Sequence, residues 1–203
     1  MVIAVHQAHH LGRAAWSAVE ALQAGGLVAY PTDTAYGLGC DVESRRAIDR
    51  LYQLKRRDPK KPLSLICADL AMVAEYAVVD NAAHRLLRRL LPGPYTFVLP
   101  AAPKVPRALM PRRRTVGVRV PDHPVPLALA EKLGRALVTS TACIEDEPPL
   151  DEAWEIEQVL GHGLAVVMDG GAVPPGRLST VVDLTGDDGP VVLREGVGPV
   201  DFA

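Results

Sequence analysis

Hydroxyl, carboxylate and guanidinium side chains that could share one small anionic substrate recur at the ends of apolar runs in this sequence. Leu27-Val28-Ala29-Tyr30 reads as a buried strand and opens into Pro31-Thr32-Asp33-Thr34, two hydroxyls and one carboxylate in three residues. Pro31 has no N–H to give and ends the ladder. Gly37 and Gly39 follow, where backbone can approach a ligand or a neighbouring strand. Thr139-Ser140-Thr141 repeats the pattern after Ala136-Leu137-Val138, Ser179-Thr180 begins another strand, and Arg194 ends the last. Polar loops at strand ends are where open α/β sheets hold ligands. The same residue types also serve as simple turn formers.

The cations fall into clusters. Lys55 to Lys61 holds five in seven positions, with Pro59 and Pro62 limiting the loop's freedom. Arginine offers a fork to phosphate or carboxylate and lysine a point charge. A basic helix end complementing its dipole is the competing reading. In the run Arg112-Arg113-Arg114 before Thr115, Arg112 and Arg113 read as solubilising loop residues. Arg119, flanked by Val118 and Val120 within a strand, needs either an ion-pair partner or an anion-filled cavity. Together these groups suit an amino acid plus a nucleotide phosphate.

Other chemistries find little support. His6, His9, His10, His84, His123 and His162 have no ligand spacing, and no serine has an evident histidine partner. There is no Walker-A loop and no GxGxxG fingerprint. Cys40, Cys67 and Cys143 are far apart and odd in number, as expected of a reduced, cytoplasmic protein with no protein-ligated metal. Net charge −2 and 4% aromatic residues argue against a global nucleic-acid binder. No stretch approaches the ~20 apolar residues of a membrane span, and no signal peptide is evident.

The 203 residues, 48% hydrophobic, suit one α/β domain. Strands are expected at 2–5, 27–30, 36–41, 63–67, 95–99, 116–120, 136–140, 164–168, 179–184 and 191–193. Helices are expected over 11–24, 45–53, a short stretch after Asp69, a longer one after Asp80, 125–133, and from a capping Asp151 to Leu160. Strands and helices do not alternate strictly, which predicts a mixed sheet with helices on both faces.

The ordered set Pro31-Thr32-Asp33-Thr34-Ala35-Tyr36-Gly37-Leu38-Gly39, Lys55-x-Arg57, Lys61-Pro62-Leu63, Pro92 to Leu99, Val116 to Pro121 and Ser179 to Asp183 resembles the YrdC-like threonylcarbamoyl-AMP synthase family. The tail, Val191 to Gly198, looks closest to its YciO branch. The resemblance covers nearly the whole chain. It implies a single three-layer α/β domain, residues 1–203, with a twisted mixed sheet around a deep basic cavity and no additional C-terminal domain. It implies a nucleotidyltransferase that joins L-threonine, bicarbonate and ATP, with substrate-associated Mg2+, into threonylcarbamoyl-adenylate and pyrophosphate. Downstream threonylcarbamoyl-transfer machinery would place the group on tRNA. By the same resemblance Thr34, Arg119, Thr139 and Ser179 hold threonine. Lys55 and Arg57 are the catalytic cations, and Lys55, Arg57, Lys61, Thr115, Thr141 and Arg194 hold ATP. The family's Ser-Ala-Asn is here Thr141-Ala142-Cys143, followed by Glu145-Asp146-Glu147. These departures, both on the nucleotide side, point to a YciO-like paralogue that binds or hydrolyses the adenylate. The basic concavity that the resemblance implies leaves a further alternative, a non-catalytic module binding tRNA or double-stranded RNA.

Overall fold

The structure, a computed structural model, describes residues 1–5, 8–110, 113–145, 147–186 and 188–202. Its elements run β1 (Val2–Ala4), α1 (Ala8–Gln23), β2 (Val28–Tyr30), β3 (Gly37–Asp41), α2 (Arg45–Leu54), β4 (Ser64–Ile66), α3 (Leu70–Tyr76), α4 (Asn81–Leu90) and β5 (Tyr95–Pro100). They continue with β6 (Thr115–Arg119), α5 (Pro124–Leu133), β7 (Leu137–Thr141), α6 (Ala153–Leu160), β8 (Val166–Asp169), β9 (Thr180–Asp183) and β10 (Val191–Arg194).

Local chemistry sets most helix starts. Ser44, Asp69 and Asp80 each accept a backbone N–H from the first turn of α2, α3 and α4. Two starts are set differently, and the second departs from expectation. α5 is capped by His123, whose ring nitrogen accepts from Val125 N at 3.2 Å. Asp151 does not cap α6: Glu152 occupies the cap position without a side-chain bond, and one carboxylate oxygen of Asp151 is buried with no partner among the described residues.

Among the described residues the strands form one sheet in the order β1-β8-β2-β3-β7-β4-β6-β5-β9-β10. Pairs β1–β8, β2–β8, β4–β6 and β5–β9 are parallel and the other five antiparallel, so the sheet is mixed. Side chains alternate across it. Ala29, Leu65, Val118 and Val138 join the apolar residues of α2, α3, α4 and α6 on one face. Val28, Tyr30, Ile66 and Leu137 meet α1 and α5 on the other.

α1 and α5 cover only part of their face. Beside them β6 turns Thr115, Gly117 and Arg119 toward a cleft, while Val116 and Val118 enter the helix-covered core. Thr96 and Val98 of β5 and Thr139 and Thr141 of β7 point the same way. An alternating strand face left bare of helices thus becomes the cleft floor.

Candidate functional site

The cleft has a volume of about 560 Å3. Nine of the ten expected residues line it: Thr34, Arg57, Lys61, Thr115, Arg119, Thr139, Thr141, Ser179 and Arg194.

One wall is the loop between β2 and β3. Thr32 Oγ1 donates to Ala35 O at 2.7 Å and accepts from Thr34 N at 3.1 Å, folding the loop on itself. That turn aims Thr34 and Asp33 at the end of β6. Arg119 is the last residue of β6 and not a mid-strand residue. One of its terminal nitrogens donates to Asp33 Oδ1 and, at 2.7 Å, to Thr34 Oγ1. Asp33 also accepts Asp122 N at 3.2 Å. Arg119 therefore has both things its position demanded, a carboxylate partner and a cavity. Its Nε is buried without a hydrogen-bond partner among the described residues, as is the Nε of Arg57. A buried donor left unpaired costs about 1–3 kcal/mol.

The opposite wall comes from β9 and β10. Arg194 donates to Ser179 O at 2.9 Å and 3.2 Å, and to Ser179 Oγ at 3.2 Å. Ser179 Oγ is also 2.9 Å from Thr96 Oγ1. The antiparallel return of β10 onto β9 carries Arg194 over, and Gly196 permits it because a Cβ there would sit 2.3 Å from Leu178 O. Burial lowers the pKa of Arg194, and the nearby Arg119 guanidinium lowers it further. Two like charges share the cleft, a standing demand for an anion.

Thr139 is held from below. Tyr30, fully buried beneath α1 and α5, places its hydroxyl 2.8 Å from Thr139 Oγ1. Burial drives the Tyr30 pKa well above the ordinary phenol range, so the hydroxyl stays protonated. Gly37 and Gly39 make room for the ring: a Cβ would come within 2.8 Å of Tyr30 at either position.

Lys55 departs from expectation. It follows the last turn of α2, and the chain then turns through Arg56 at φ 49°. The side chain consequently runs under the end of β7, with no exposure. Its ammonium donates to Thr141 O and, at 2.7 Å, to Cys143 O. In this structure Lys55 is a clamp on the loop after β7 and lies outside the cleft lining. Cys143, Glu145 and Glu147 from that loop do line the cleft; Asp146 lies outside the described residues, as does Arg112.

Reading the sequence did not single out Tyr30 as the support of Thr139, nor Asp33 as the partner of Arg119. The signal for the first was a tyrosine two positions before a hydroxyl loop and facing two glycines at alternate positions; for the second, a single carboxylate between two threonines.

Among the described residues no helix is long and apolar enough to cross a membrane, and no group of three or more His, Cys, Asp or Glu is placed to hold a metal ion. The profile of the Sua5, YciO and YrdC proteins, described as "Telomere recombination", matches residues 20–196. Uncharacterized protein YciO of Escherichia coli K12 is 38% identical over 185 residues, covering 90% of this chain and 89% of YciO. The crystal structure of E. coli YciO superposes with a TM-score of 0.90 at 35% identity, covering 100% and 99% of the two chains. Threonylcarbamoyl-AMP synthase of Alkalilimnicola ehrlichii is 41% identical over 148 residues, 73% of this chain and 77% of the synthase. Sua5 of P. abyssi, solved in complex with L-threonine, matches with a TM-score of 0.90 at 32% identity, covering 97% of this chain and 57% of Sua5. With the fold, the ordered motifs and the profile in agreement, this chain belongs to the Sua5, YciO and YrdC family.

Proposed function

We propose that the cleft binds L-threonine beside MgATP and joins them, with bicarbonate, into threonylcarbamoyl-AMP and pyrophosphate. Arg119 carries the reading: its guanidinium lines the cleft beside the Thr34 hydroxyl and across from Arg194, a cationic setting that suits a small carboxylate. Thr139 and Ser179 supply hydroxyls for the amine and side chain of threonine. Arg57, Lys61, Thr115 and Thr141 line the nucleotide end, and Mg2+ arrives with ATP as part of the substrate. The amine of threonine adds to CO2 drawn from bicarbonate and becomes a carbamate. A carbamate oxygen then bonds to the α-phosphorus as the bond to pyrophosphate breaks. The chain contributes position and positive charge, with no side-chain nucleophile. The adenylate then passes to the tRNA threonylcarbamoyl-transfer machinery.

The nucleotide end supports a second reading. Glu145 and Glu147 line the cleft there, and Lys55 is turned away from it. A triphosphate meets this mixed charge less favourably than the single phosphate of an adenylate does. On this reading the chain binds or hydrolyses preformed threonylcarbamoyl-AMP. Following pyrophosphate release with ATP, Mg2+ and bicarbonate, with and without threonine, decides between them. Threonine-dependent release is expected of the synthase. No release, together with AMP appearing from preformed adenylate, would replace it with the second reading.

A further inference from the structure

We propose that Cys143 and Lys55 form a reversible, peroxide-driven S–N cross-link that pins the loop after β7 to the end of α2. Cys143 Sγ lies 3.2 Å from Lys55 Nζ across 88 positions of sequence. Cys143 lines the cleft and is partly exposed, so a small peroxide can approach it, whereas Lys55 is wholly buried. Lys55 has three polar neighbours: Thr141 O, Cys143 O and the sulfur. A neutral amine keeps two N–H bonds to the carbonyls and turns its lone pair to the sulfur. Burial, opposed by Cys143 and reinforced by the Arg57 guanidinium, lowers the pKa of Lys55 and makes that neutral form more accessible. Glu145 N donates to Lys55 O at 2.7 Å, so the two segments are already held together.

The chemistry proceeds in two steps. Hydrogen peroxide transfers one oxygen to the thiol, giving sulfenic acid and water. The amine of Lys55 then attacks sulfur; the S–O bond breaks, the S–N bond forms, and the hydroxyl leaves as a second water with a proton from nitrogen. Two equivalents of a small thiol reverse the link, returning thiol and amine and leaving a disulfide. Cys40 and Cys67 are buried, and burial raises both of their pKa values, which leaves Cys143 as the accessible thiol of the three.

The test is intact-mass analysis and tryptic mapping of the reduced full chain after a small excess of hydrogen peroxide. The expected product is lighter by two hydrogens, resists trypsin after Lys55, yields a peptide joining Lys55 to Cys143, and reverts with dithiothreitol. Cys143→Ser should abolish it, and Lys55→Met, where it folds, should leave a sulfenic acid that dimedone traps. The wild-type mass decides the matter without the variants. Oxygen adducts alone, an unreacted Cys143, or a two-hydrogen loss mapping to a cysteine pair would overturn the proposal.

Discussion

Arg119 concentrates the demands placed on the cleft. It pairs with Asp33, each about 11% exposed, and still has a buried donor to spare. Arg119→Ala should raise the threonine concentration needed for half-maximal activity by roughly 10–100-fold, the worth of hydrogen bonds to a charged group. It should also lower the melting temperature, because Asp33 loses its cation. Arg119→Lys separates the two effects: a lysine restores the charge for Asp33 but not the fork, so stability returns further than affinity. Kinetics and thermal melts on both variants check this, and an unchanged threonine requirement would remove Arg119 from the site. Its need for a partner was legible in the sequence, since a charge between two valines cannot be left alone. The identity of the partner was not, because Asp33 is 86 residues away and only the folded loop brings it near.

Elements explain which residues the sequence placed well. Ser44, Asp69 and Asp80 were readable as caps because the cap bond spans only three residues. Asp151 has the same local look, yet the first helical turn begins one residue later than that cap would require. Lys55 was readable as basic, but its direction depends on how α2 ends, through a left-handed residue no pattern announces. His123 at the start of α5 yields a pH prediction. Burial, opposed by Asp33 and Asp122 and reinforced by Arg119, lowers its pKa below the usual histidine value. The neutral ring is the acceptor for Val125 N. The unfolded chain therefore binds more protons, and the capping contribution, present above about pH 6.5, is lost as pH falls below it. His123→Asn keeps an acceptor without titrating. Denaturant midpoints should match the parent at neutral pH and exceed it increasingly toward pH 5; a constant difference would contradict this. Gly39→Ala tests the β2–β3 register. The new methyl would meet the Tyr30 hydroxyl at 2.8 Å, its ring at 2.9 Å and Val138 O at 3.0 Å. A loss of about 1–3 kcal/mol in chemical denaturation is expected, and a neutral result would mean that Tyr30 is not wedged over this strand.

At the scale of the molecule, the mixed α/β class was legible from apolar runs that fail to alternate strictly with helices. The strand order was not, since β7 reaches between β3 and β4, and β5 joins β9 across more than 80 residues of chain. No local pattern encodes such pairings. The order matters because it gathers Thr34, Arg119, Thr139 and Ser179 from four separate stretches around one uncovered sheet face. The proposed threonine site can be tested by calorimetric titration of the full chain with L-threonine and, separately, L-valine, which exchanges the hydroxyl for a methyl. A cleft whose hydroxyls orient threonine should bind it and bind valine at least about tenfold more weakly. Equal binding of the two, or binding of neither with or without MgATP, would contradict the assignment of this cleft to threonine.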